Sequence, residues 1–151
     1  RSLLAQSRIA QHEKKPAQAM KAYEEAYTLK PKAPQIRMAL IVGYQETKRW
    51  PDAYAAIKRW IANEPNANNA HYQLGRLAAV SGQYSGEGEA ALRKYLGMPR
   101  GKDDPAPKNA HYRLGQVLAQ AGRKDEARAA YQTALKLDPK FKDAKDALAA
   151  L

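Results

Sequence analysis

Alanines and large apolar residues recur along this chain at the spacing of a helix face. In the segments 19–23, 53–57 and 127–131, an alanine is followed four residues later by a large apolar residue. Residues four apart lie on the same face of an α-helix, whereas a strand needs a strict alternation that this chain nowhere sustains. The pattern therefore predicts an all-helical chain. The predicted helices span about 1–13, 16–30, 34–47, 51–63, 68–81, 87–96, 108–121, 124–137 and 141–150.

The same features return with a fixed period. Pro31, Pro65 and Pro99 are each 34 residues apart, and Pro139 follows 40 residues later. The segment 69–75 recurs almost letter for letter as 109–115. A period between about 20 and 50 residues is typical of stacked repeats, in which each repeat buries its apolar face against the next. The chain is therefore predicted to be a helical repeat array.

Helix-breaking residues lie where consecutive helices should turn back on each other. Pro16 suits the first turn of a helix. Gly82 and Gly122 follow predicted helices, at positions where a left-handed residue commonly ends a helix. These residues predict that the helices pair into hairpins.

The arrangement resembles the tetratricopeptide repeat, which combines W-x₂-L-G-x₂-Y on its first helix, A-x₃-F on its second helix and a closing proline. The last unit matches best: His111 stands at the Trp position, Leu114 and Gly115 form the L-G pair, and Ala127 and Tyr131 follow. The resemblance implies an all-α, right-handed superhelical solenoid of four helix-turn-helix repeats with a C-terminal capping helix. In a single domain, the repeats would span about 1–33, 34–67, 68–107 and 108–141, and the cap 142–151.

The segment 97–107 departs from the repeat, because it is about six residues longer than the usual connection. Its glycines, prolines and charges predict an exposed loop without a helix. Two interpretations stay open. The segment is either an insertion that is tolerated because loop closure costs little, or a binding loop at the edge of a groove.

The two ends of the chain lead to different expectations. Arg1 begins directly in the first predicted helix, so we expect more chain before it in the native protein. An uncapped N-terminal helix pair would also permit self-association. At the other end, Ala144, Leu148 and Leu151 share one helix face, which suits a helix that covers the last repeat.

Charge changes the expectation about partners. Twenty-six Lys and Arg residues against 15 Asp and Glu give a formal net charge of +11, which favours acidic partners. No cysteine is present, so disulfides and thiolate metal sites are excluded. No apolar run approaches the ~20 residues of a membrane span. We expect a soluble chain, with which both the cytoplasm and the bacterial periplasm are compatible.

The resemblance also implies a binding surface, because the first helices of such hairpins line a concave groove. Two of these helices carry amides, phenols and guanidiniums, which can hydrogen-bond a peptide backbone and bind carboxylates. Tyr72 and Tyr112 are the expected anchors, and Arg76 and Arg113 the expected clamps. The alternative is that these side chains are merely solvated. The full predicted partner-binding set is Arg8, Asn69, Tyr72, Gln73, Arg76, Asn109, Tyr112, Arg113 and Gln116.

No catalytic, cofactor or metal site is predicted. His71 and His111 occupy a packing position of the motif, and neither has a second ligand one helical turn away. The predicted function is a non-catalytic protein-interaction scaffold that binds an acidic partner peptide or segment in the groove. Two alternatives stay open. The basic surface could bind a polyanion, either nucleic acid or an anionic polysaccharide, or the chain could be the scaffold appendage of a larger enzyme or assembly.

Overall fold

The computed structural model describes residues 3, 5, 6 and 16–151, and every regular element within them is an α-helix. The all-helical prediction is confirmed, and each helix begins and ends within a few residues of its predicted bounds. The first predicted helix falls mostly outside the described residues, and so does the candidate Arg8. The helices are α1 (Pro16–Leu29), α2 (Pro34–Glu46), α3 (Trp50–Asn63), α4 (Asn68–Ser81), α5 (Ser85–Leu96), α6 (Pro107–Gln120), α7 (Lys124–Leu137) and α8 (Lys142–Ala149).

The helices form two compact units, Arg1–Ala56 and Ile57–Leu151. In the first unit, α1 packs against α2. Gly43 permits this approach, because a Cβ at that position would overlap the sulfur of Met20. Arg49, in the turn after α2, lies 3.0 Å from the carboxylate of Glu24 on α1. This ion pair joins the end of one helix to its neighbour.

In the second unit, α4 packs against α5, α6 packs against α7, and α6 also contacts α4 and α5. Glycines lie where the paired helices cross. A Cβ on Gly75 would overlap the side chain of Leu92, and a Cβ on Gly115 would lie 2.5 Å from the ring of Tyr131. The L-G pair of the motif is thus explained by the space available between the helices of one hairpin.

The two predicted turn glycines adopt the left-handed conformation. Gly82 has a φ of +71° and Gly122 a φ of +78°. The Gly82 N–H donates to the carbonyl of Ala78 at 3.0 Å, as expected at the end of a helix. The neighbouring carbonyl of Ala79 accepts a 2.7 Å bond from the Gln120 side chain. A helix-end carbonyl of α4 thereby gains a partner on α6.

The core of this second unit is made of apolar side chains from α4 to α7. Leu92, Val117 and Leu118 are almost completely buried. The last helix extends the core, since α8 packs on α7 with Ala144 fully buried and with Leu148 against the cluster. The predicted C-terminal cap is confirmed. Between α5 and α6, the long connection of residues 97–106 carries no helix until α6 begins at Pro107.

Candidate functional site

Eight of the nine predicted site residues lie on two neighbouring first helices of the second unit. We call this set the polar face. Its members are Asn69, Tyr72, Gln73 and Arg76 on α4, and Asn109, Tyr112, Arg113 and Gln116 on α6. Because α4 and α6 contact each other, the structure brings the two halves of the set together.

The α6 half of the polar face is a connected cluster. The ring of Tyr112 lies 5.3 Å from that of Phe141 and 6.0 Å from that of Tyr131. The guanidinium of Arg113 lies 5.3 Å from the Tyr112 ring centre, within cation–π range. Arg113 donates to the Gln116 side-chain oxygen at 3.0 Å, and Gln116 donates to the Tyr112 hydroxyl at 3.1 Å. These contacts hold three partly exposed polar side chains in fixed positions.

The α4 half is less accessible, although its sequence is nearly the same. Only 7% of Tyr72 and 6% of Gln73 is exposed. The Tyr72 ring packs 5.5 Å from that of Tyr95, and Gln73 donates to the Asn69 side chain at 3.2 Å. Tyr72 is therefore part of the core and offers a partner little contact area. Arg76, like Asn69, is half-buried and retains accessible surface.

The charge on the polar face is mixed, because α8 brings carboxylates to one edge. Burial raises the pKa of Tyr112, with smaller contributions in the same direction from Asp143 and Asp146. Nearby, Lys108 binds Asp138 at 2.7 Å and lies 5.0 Å from the Phe141 ring. Guanidinium groups thus belong to α4 and α6, and acidic groups to the α8 side.

Sequence reasoning did not include this α8 edge in the site. A signal was present, because Asp143 and Asp146 follow Asn109 and Tyr112 by one 34-residue period. The cap helix therefore stands where the first helix of a further repeat would stand. Its acidic residues occupy the positions of the polar face.

The comparisons with known proteins agree with the helix hairpins. Two family models described as tetratricopeptide repeat match residues 10–80 and 109–141, which together make up more than half of the chain. The chain therefore belongs to the tetratricopeptide repeat family, whose fold serves in general as a scaffold for protein–protein interactions. No curated protein matches the chain in sequence. Among the described residues, no helix is both long and apolar enough to cross a membrane.

Several solved structures share the fold at low sequence identity. A crystal structure of MamA is 20% identical, with a TM-score of 0.75 over 94% of this chain and 80% of MamA. PilW, described as a widely conserved type IV pilus biogenesis factor, is 16% identical, with a TM-score of 0.73 over 97% of this chain and 66% of PilW. A tetratricopeptide repeat protein from Parabacteroides merdae is 12% identical, with a TM-score of 0.72 over 97% of this chain and 55% of that protein. These similarities support the fold class, an all-α solenoid of helix hairpins.

Proposed function

We propose that this scaffold binds an acidic segment of a partner protein along the polar face of α4 and α6, and that it does so without catalysis. The observation that carries the proposal is the connected cluster on α6, in which Tyr112, Arg113 and Gln116 are held in place by one another. A preorganised surface loses little conformational entropy when it binds.

Charge supports the acidic character of the partner. The chain carries a formal net charge of +11, and two arginines of the polar face, Arg76 and Arg113, lie on adjacent helices. Each guanidinium offers paired donors for a carboxylate or for backbone carbonyls. Asp143 and Asp146 on α8 would repel an acidic segment, so we infer that the bound segment lies over α4 and α6.

Binding of synthetic peptides with graded Asp and Glu content, followed by fluorescence anisotropy, tests this proposal. Acidic peptides should bind more tightly than neutral peptides of equal length. The variant Arg76→Ala/Arg113→Ala should weaken their binding by about tenfold, which is about 1.4 kcal/mol, with little change in melting temperature. Arg76→Lys/Arg113→Lys keeps the positive charge but loses the planar guanidinium. Its affinity for the acidic peptides should therefore lie between that of the wild type and that of the double alanine variant.

The matched control removes the same charge elsewhere. Lys94→Ala/Lys124→Ala affects two exposed lysines on α5 and α7, outside the polar face. Arg123 is unsuitable as a control, because it pairs with Glu89 and Glu126 at 2.6 Å each. If the control pair weakens binding as much as the arginine pair, diffuse charge is responsible. A steep fall of oligonucleotide affinity with salt would then favour polyanion binding.

A further inference from the structure

A recess lies between α5 and α7, on the side of the second unit that is opposite the polar face. Two cavities of about 360 and 290 Å³ adjoin there and share Leu96, His111 and Thr133 in their linings. We call the combined recess the channel. Its floor includes the buried Leu114 and Leu118 of α6.

The channel and the polar face lie on opposite sides of α6. At about 100° per residue, His111, Leu114 and Leu118 point to a direction about 180° from that of Tyr112, Arg113 and Gln116. A segment in the channel would therefore contact the two second helices, α5 and α7, and would leave the polar face open. The channel is a separate surface, and a ligand could occupy it whether or not the polar face binds a partner.

The long connection closes one end of the channel with Met98 and Arg100. Hydrogen bonds hold this loop in place. Asp104 accepts from the Gly101 N–H at 2.7 Å and from the Asn68 side chain at 3.0 Å. The Asn68 amide also donates to the carbonyl of Pro99, and the Tyr95 hydroxyl donates to that of Pro105. The loop that is longer than the connection of a standard repeat thus forms an ordered side of the channel.

The two histidines at the Trp position of the motif, His71 and His111, differ in their hydrogen-bond partners. His71 Nε2 donates to the carbonyl of Pro65, six residues earlier, at 2.8 Å. The residue six before His111 is Pro105, but its carbonyl already accepts the Tyr95 hydroxyl. His111 has no hydrogen-bond partner within 16–151 and lines the channel. Burial lowers the pKa of His111, so the neutral ring can offer either a donor or an acceptor to a ligand.

The loop end of the channel is lined by an exposed apolar side chain and by an arginine that forms no ion pair among the described residues. Leu137 lies at this end with 55% of its surface exposed. At the opposite end, Arg93 is paired with Glu89 at 3.0 Å and with Glu126 at 3.7 Å. Arg100 has no ion pair among the described residues. An apolar group beside a carboxylate complements this arrangement.

We propose that the channel is a second docking site, which takes a peptide segment with a large apolar side chain next to a carboxylate. The apolar side chain packs between Leu96 and Leu137, and the carboxylate binds Arg100. A backbone group of the segment hydrogen-bonds His111. The loop 97–106 thereby acts as part of a binding site and not as a neutral insertion.

Three short synthetic peptides test this proposal with the full chain: one of alternating Leu and Asp, one with Ser in place of Leu, and one with Asn in place of Asp. Binding is measured by fluorescence anisotropy and mapped by ¹H–¹⁵N correlation spectra. The Leu/Asp peptide should bind best and shift the resonances of Leu96, His111 and Thr133. Leu137→Ser/Arg100→Glu should weaken it by about tenfold or more.

The matched control is Leu29→Ser/Lys102→Glu. Leu29 is another exposed leucine, in the first unit, and Lys102 is an exposed lysine of the same loop. This control should leave the affinity within about twofold of the wild type.

The proposal is overturned if the Leu/Asp peptide does not bind, if the Ser peptide binds equally well, or if the control pair weakens binding as much as the channel pair. Shifts confined to α4 and the polar-face residues of α6 would also overturn it. Binding that survives Arg76→Ala/Arg113→Ala separates this site from the polar face.

Discussion

The close helix crossing in the last hairpin gives the sharpest test of the repeat packing. Gly115→Ala adds a single methyl group, which would lie 2.5 Å from Cε1 and 2.6 Å from Cδ1 of Tyr131. Carbon atoms in contact normally lie about 3.5–4.0 Å apart, so the ring would have to retreat by about 1 Å. Tyr131 is only 3% exposed, and the ring of Tyr112 packs 6.0 Å from its own ring. The Tyr131 ring therefore has little open space to enter.

Overpacking of this kind costs about 1–3 kcal/mol, against a gain of about 0.5–1 kcal/mol from replacing a helical glycine by alanine. We expect a net loss of about 1 kcal/mol, which lowers the melting temperature by about 2–4 °C in a chain of this size. Urea denaturation and thermal melting followed by circular dichroism measure both values. Gly115→Leu should be worse, because more atoms meet the same ring.

The matched control is Gly86→Ala on α5. Gly86 is also helical, but a Cβ at that position would meet no atom within 4 Å apart from the adjoining backbone of its own helix. This variant should be as stable as the wild type or slightly more stable. Tyr131→Leu, which removes the ring, should make Gly115→Ala less damaging than it is alone. Equal effects of the two glycine substitutions, or strict additivity with Tyr131→Leu, would refute the packing argument.

Two further predictions concern the cap and His111. Deleting residues 141–151 should lower the melting temperature by several degrees. The reason is that Leu148 packs on the core, and burial of a large apolar side chain contributes about 1.5–3 kcal/mol. An unchanged melting curve would contradict the cap assignment. Because burial lowers the pKa of His111, the unfolded chain binds this proton more readily, and the folded state loses stability relative to the unfolded state as the pH falls below the ordinary histidine pKa of about 6.5. His111→Leu should therefore gain stability relative to the wild type as the pH falls, as measured by urea titrations at several pH values. If the difference in unfolding free energy between the two proteins does not change with pH, the lowered pKa of His111 is contradicted.

The bounds of the helices were predictable because the signals that specify them are local. Pro34 begins a helix at the predicted residue, and Gly82 and Gly122 adopt the left-handed conformation at turns. The glycines of the L-G pairs, Gly75 and Gly115, lie where the helices of one hairpin pack closely. Such signals depend on backbone geometry within a few residues, so one sequence is enough to read them.

The accessibility of the site was not predictable in the same way. Asn-Ala-His-Tyr occurs twice, yet Tyr72 is buried against Tyr95 whereas Tyr112 is partly exposed beside Phe141. His71 finds a carbonyl partner, and His111 lines a channel. Identical residues at identical spacing differ because the atoms that cover them come from other helices and from the connection 97–106.

By itself, the sequence determined the helices, the pairing of α4 with α5 and of α6 with α7, and the repeat family, because helical period, turn residues and small residues at crossings act over short stretches of chain. Only the tertiary structure decided which polar side chains remain accessible and that the long connection forms one end of a channel. Those properties depend on contacts between residues far apart in sequence, such as Asn68 with Asp104, which are 36 positions apart. The reason is that burial is a property of the packed neighbours of a residue and not of its own position on a helix.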